Sequence, residues 1–178
     1  MYIDKFDKRE RGMTFIELLV VIAVFSILAT GLVVVIDPVG QVAKSNDAKR
    51  KGDLAQLQRV LEVFYQDNGR YPYNSADYRI NDGGVRTWGY SWNPYMSKLP
   101  KDPLSTNKYI YFSPNASNPG AACVSNQCYY IYANLQQTTD PQACNGGARC
   151  NSLPTNGITN NACGGTCNYG VSSPNVAP

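Results

Sequence analysis

No histidine occurs anywhere in the 178 residues, which removes Ser-His and Cys-His catalysis and every imidazole metal ligand at once. Cysteine is absent before position 123, and charge is absent from Leu18 to Ile36. Beyond Asp102 the sole acidic residue is Asp140, and from 138 to 178 only Asp140 and Arg149 carry charge. Phosphate-binding loops, metal-helix motifs and C-x2-C pairs are all missing. A net charge of +3 builds no field strong enough to draw in nucleic acid, so no such partner is indicated. These absences leave a structural or binding role and no enzyme.

What is present begins with a charge contrast. Residues 1–12 set Lys5, Lys8, Arg9 and Arg11 against Asp4, Asp7 and Glu10, and end in Gly12. The uncharged run Leu18 to Ile36 follows almost at once. At ~1.5 Å per residue a helix over 13–36 reaches about 36 Å, enough to cross a hydrocarbon core of roughly 30 Å with some tilt. A secretory signal would place small residues and its cut after the apolar stretch, but Thr30-Gly31 is followed by more Val and Ile. The apolar segment is therefore expected to be retained, anchoring the chain in a membrane. Glu17 lies inside it, and an ionisable group there costs about 2.5–3.5 kcal/mol near the bilayer centre and less near an end. Either the helix N-terminal dipole favours the carboxylate, or a cation on a neighbouring subunit pairs with it. A cut after Gly12 would supply that cation as the Met13 α-amine.

Asp37-Pro38 and Gly40 are expected to interrupt this helix by kinking or locally melting it. Beyond them Leu54, Leu57, Leu61 and Phe64 mark one apolar face. Lys49, Arg50, Asp53, Gln56, Arg59 and Glu62 are assigned to the opposite, solvated face. Asn68-Gly69 is a left-handed stop before Tyr71-Pro72. Residues 73–97 hold Gly83-Gly84, Trp88, Trp92 and Pro94 without a sustained period and read as an irregular connection packed over the helix. Tyr109 to Phe112 and Tyr129 to Leu135 suit strands. Eleven of the thirteen tyrosines fall between residues 65 and 132; half-buried strand packing explains them, with stacking on sugars as the alternative.

The six cysteines, Cys123, Cys128, Cys144, Cys150, Cys163 and Cys167, are even in number and cluster in the last third. Disulfides are the reading, and zinc is the weaker alternative. Fifteen pairings are possible, and the spacing favours the local set 123–128, 144–150 and 163–167. The segment 138–178 has too few large apolar residues to build its own core, so a loop-rich surface fixed by cross-links is expected. The expected fold is α+β: a long N-terminal helix, first apolar and then amphipathic, on a small antiparallel sheet with a disulfide-tied C-terminus. Its divisions are 1–12, 13–36, 37–68, 69–137 and 138–178.

Gly12 followed by Met-Thr-Phe-Ile-Glu-Leu-Leu-Val-Val-Ile-Ala resembles the class III signal of type IV prepilins and type II secretion pseudopilins. The resemblance implies the type IV pilin fold and a prepilin peptidase that cuts between Gly12 and Met13 and methylates Met13. It implies Glu17 as the assembly carboxylate, an inner-membrane assembly platform, and a homo-oligomeric helical filament. It places the leader in the cytoplasm and the head outside, which the balance of Lys44, Lys49, Arg50 and Lys51 against the leader's four basic residues does not decide. Met13 departs from the Phe most often found there.

Gln66 to Pro72, and Leu99-Pro100-Lys101-Asp102-Pro103 followed by Tyr109-Ile110-Tyr111, resemble landmarks of the major pseudopilin, so the similarity covers about residues 11–112. That family places a calcium ion in its last loop, held partly by acidic side chains, where this chain offers only Asp140. The leading expectation is therefore a structural subunit of a type IV pilus-like extracellular filament for adhesion, motility or uptake, needing no cofactor. The alternatives are the major pseudopilin of a secretion or competence system, with Ca2+ in the secretion case, and a membrane-anchored surface binder that never polymerises.

Overall fold

The computed structural model describes residues 12–115 and 126–178, with the side chains of residues 32–36 excepted. Most of the expected leader and Cys123 lie outside the described residues. The chain divides into two compact units, Met1–Gln41 and Val42–Pro178.

In the first unit, α1 runs from Phe15 to Ile36, 22 residues or about 33 Å. Phe15, Ile16, Val20, Val24, Phe25, Ile27 and Leu28 are all exposed, so the described part of the helix is apolar on every side. Its hydroxyls are satisfied internally: Ser26 Oγ donates to the Ile22 carbonyl at 2.7 Å and Thr30 Oγ1 to the Ser26 carbonyl at 2.8 Å. Among the described residues no helix is long and apolar enough to cross a membrane; the described side chains of α1 stop at Gly31.

The break after α1 is a single residue. Asp37 adopts a left-handed conformation (φ 43°), as the residue before a proline avoids the helical region. A new helix, α2, starts at Pro38 and ends at Asn68. Asp37 Oδ1 accepts from the Gly40 amide at 3.1 Å and its carbonyl from the Gln41 amide at 3.1 Å, capping α2 with proline at its first position. A Cβ on Gly40 would fall 2.2 Å from Asp37 Oδ2. Gly40 thus makes room for the cap, and the expected interruption of the helix falls at Asp37.

In the second unit α2 buries Leu54, Leu57, Leu61 and Phe64, each stabilising by about 1.5–3 kcal/mol, and Gly69 (φ 67°) follows its end. A two-stranded hairpin, β1 (Tyr73–Asn74) with β2 (Ile80–Asn81), follows. The main sheet has the order β3-β4-β5, antiparallel throughout, from Ile110–Phe112, Tyr130–Ala133 and Tyr169–Ser172. Tyr111 pairs with Ile131 and Ile131 with Val171.

Both faces of this sheet are covered. Tyr109, Tyr111, Tyr129, Ile131 and Ala133 join the α2 leucines in one cluster. Ile110, Phe112, Tyr130 and Tyr132 join Cys150, Leu153, Ile158, Cys163 and Cys167 in another. A strand buried on both faces shows no polar alternation, which is why the sequence reads YYIYA.

One expectation is corrected here. The segment 138–178 supplies the third strand, a short helix α3 (Ser152–Thr155) and half of a core, its cystines standing in for the missing aliphatic residues. Residues 73–97 pack over α2 as expected, with Ile80, Trp92 and Met96 buried beside its leucines and the Trp92 indole donating to Asp82 Oδ2 at 2.8 Å.

Candidate functional site

The N-terminal candidates begin with Gly12, where an added Cβ would meet nothing within 4 Å. Among the described residues, no packing requires glycine there. Met13 beside it is exposed. Thr14 is the N-cap of α1, and Glu17 completes a capping box with it. Glu17 Oε2 accepts from the Thr14 amide at 2.7 Å and the Thr14 hydroxyl at 2.8 Å, while the Glu17 amide donates to Thr14 Oγ1 at 3.3 Å. Within the single chain, then, two local donors and the helix N-terminus satisfy the carboxylate.

A second constellation lies where α2 meets the head. Arg50, assigned from the sequence to the solvated face, is completely buried. It stands four residues before Leu54 and so continues the apolar stripe; that spacing was the signal missed. Its guanidinium forks onto Asp102 (Nε to Oδ2 and Nη2 to Oδ1, both 2.8 Å) and reaches Asp47 Oδ1 through Nη1 at 2.7 Å. Asp47 also accepts the Gln136 and Gln137 amides, each at 2.9 Å, and Asp102 Oδ1 accepts the Leu104 amide at 2.9 Å. Burial works to lower the Arg50 pKa, but the hydrogen bonds and charges of Asp102 and Asp47 outweigh it and hold the group above its ordinary value. Removing one partner of such a buried pair costs about 3–5 kcal/mol.

Lys51, the next residue, pairs with Asp140 Oδ2 at 2.6 Å and lies 6.0 Å from the centre of the Tyr169 ring. The lysine's hydrogen bond lowers the Asp140 pKa. Asp53, two residues on, is raised by burial even though the Tyr109 hydroxyl donates to it at 2.7 Å.

Of the cysteines, Cys144 is bonded to Cys150 and Cys163 to Cys167. Cys128 is disulfide-bonded; Cys123, its expected partner, lies outside the described residues. Among the described residues no free cysteine and no group of three or more His, Cys, Asp or Glu fit to hold a metal ion occurs.

The Ca2+ considered for the secretion alternative would draw on the oxygens of the last segment, where Asp140 is the one acidic side chain. Asp140, the only carboxylate in the last segment, gives Oδ2 to Lys51 and Oδ1 to the Gln142 amide at 2.9 Å. Calcium takes six to eight oxygen ligands, carboxylates prominent among them.

A long N-terminal helix that is apolar on all sides, opening with a capped Glu17 and followed by a helix laid on an antiparallel sheet, defines a pilin-like structural subunit. Residues 7–33 match the prokaryotic N-terminal methylation motif, and residues 38–125 match the model for type II secretion system (T2SS), protein G. The type II secretion system core protein G of Aeromonas hydrophila is 32% identical over 111 residues, covering 60% of this chain and 76% of that protein. Those of Pectobacterium carotovorum subsp. carotovorum and Dickeya chrysanthemi are each 30% identical, covering 63% and 61% of this chain and 69% and 71% of theirs. No solved structure matches. The chain belongs to the type II secretion system protein G family. The expected pilus subunit and its alternative, a secretion pseudopilin, are both pilin-like, and the family favours the alternative. The family match ends at residue 125, so β4, β5 and the two described disulfides lie beyond it.

Proposed function

We propose that this chain is the repeating subunit of a type II secretion pseudopilus. A prepilin peptidase cuts between Gly12 and Met13 and methylates the new Met13 amine. α1 holds the subunit in the inner membrane, head outside, until an assembly platform extracts it into a helical polymer.

The observation that carries this reading is α1 itself. A helix apolar on every side is stable only in lipid or among like helices, and a filament core supplies the second after the first. Among the described residues nothing crowds Gly12, which suits its smallness to a reader outside the chain, as a peptidase is. Glu17 is capped locally before the cut and can exchange that partner for a neighbour's Met13 amine after it. With no histidine, the role is structural rather than catalytic.

Mass spectrometry of the membrane-extracted protein tests the processing. A chain beginning at Met13 and carrying one added methyl group is expected; one still beginning at Met1 sinks the proposal. Glu17→Ala is expected to abolish filaments, and an unchanged filament yield would refute the assembly role of that carboxylate. A surface pilus is the second reading, favoured by the cystine-tied segment beyond the family match. Deleting the gene separates the two, because loss of exoprotein release marks the secretion filament and loss of surface fibres alone marks the pilus.

A further inference from the structure

Three carboxylates, two of them from distant parts of the chain, converge on two consecutive cations of α2. Asp47 comes from α2 itself, Asp102 from the segment before β3, and Asp140 from the segment after β4. All six of their oxygens have donors. Asp47 Oδ1 takes Arg50 and the Gln136 amide, and Oδ2 takes the Gln137 amide. Asp102 Oδ1 and Oδ2 both take Arg50, with the Leu104 amide on Oδ1. Asp140 Oδ2 takes Lys51 and Oδ1 the Gln142 amide.

We infer that Arg50 and Lys51 fasten the segments around residues 102, 136 and 140 to α2 in place of a metal ion, so that the C-terminal half of this head folds independently of calcium. This rests on the family membership and not on the secretion role proposed above.

Two physical points support it. A calcium ion binds a segment by collecting its carboxylates and carbonyls around one charge. Here the same collection is made by a planar guanidinium, whose fork suits a bidentate carboxylate, and by an ammonium one residue further along the helix. The second point is the far side of the sheet. There Cys144–Cys150 and Cys163–Cys167 each close a short loop, and Cys150, Cys163 and Cys167 pack with Tyr130 and Tyr132. The cations hold one side of the segment, and the packing of its cystine-closed loops holds the other.

The test is the thermal midpoint of the full-length protein in detergent, with excess EGTA and with millimolar calcium. Equal midpoints are expected. A resident calcium site present at a hundred times its dissociation constant would raise the midpoint by about 5 °C or more, and such a rise overturns the inference. Arg50→Met is expected to lower the midpoint by about 10 °C, equally in both conditions, and an unchanged midpoint also overturns it. Should that variant not fold, Lys51→Met replaces it, expected to give a fall of about 2 °C that calcium does not restore. Restoration by calcium counts against the inference. None of these readings depends on the state of the N-terminus, so failure here leaves the processing experiment untouched.

Discussion

α1 and α2 are two helices of one chain, one residue apart, and they are stabilised in opposite ways. α1 buries none of its described side chains and holds order through local devices: the Thr14–Glu17 box at one end and Asp37 at the other. α2 buries a stripe from Asp47 and Arg50 to Phe64, against a sheet itself covered on its far side. The contrast shows where folding free energy is released. In the second unit it comes from the chain's own core, whereas α1 depends on lipid or on other copies.

The sharpest way to break this contrast is to truncate one leucine in each helix. Leu57→Ala, at a completely buried position, is expected to cost about 2–5 kcal/mol in the melting of the head. Leu28→Ala, 60% exposed, is expected to change that melting by less than about 0.5 kcal/mol while reducing filament yield. Equal effects on melting would show that α1 draws stability from the head after all.

A smaller effect is expected from the cystines. Replacing Cys163 and Cys167 together by Ser opens a loop whose closure is worth about 2 kcal/mol by the chain-entropy relation. It also places two hydroxyls in the cluster of Ile110, Phe112, Tyr130 and Tyr132. Denaturant melts of the head should register the loss, and a stability equal to the parent would mean that the far face of the sheet is held by packing alone.

The smallest effect is the pH dependence of the Lys51–Asp140 pair. The folded pKa of Asp140 is lowered. Its contribution is therefore fully present above the ordinary carboxylate range and is lost as pH falls through the folded value. Asp53 runs the other way, since burial raises it; its ionisation opposes folding as pH rises from the ordinary value through the raised one. Lys51→Met should shrink the acid loss of stability between about pH 5 and pH 2 by under about 1 kcal/mol. An unaltered acid limb would remove this pair from the stabilising set.

Much of this molecule is legible from one residue type at a time. The uncharged run marks α1, the spacing of Leu54, Leu57, Leu61 and Phe64 marks the inner face of α2, and aromatic density marks β3 and β4. β5 is hidden because Tyr169-Gly170-Val171-Ser172 carries little strand signal and pairs only because Ile131 and its neighbours offer an edge. Arg50 is hidden because a charge is assigned to solvent until its partners are known, and those partners lie 3, 52 and 86 residues away. The local cysteine spacing did point to the 144–150 and 163–167 pairs, but not to their place in a core.

By itself, then, the sequence determined everything that is local: the apolar helix, its Thr14–Glu17 cap, the stop at Gly69, and the short reach of each cysteine loop. Only the tertiary structure decided that a segment poor in large aliphatic residues would cover one face of the sheet, and that Arg50 and Lys51 would meet Asp102 and Asp140. The reason is physical. Helix caps and periodicity depend on neighbours within one turn, whereas burial and charge pairing depend on which distant segments the sheet brings together.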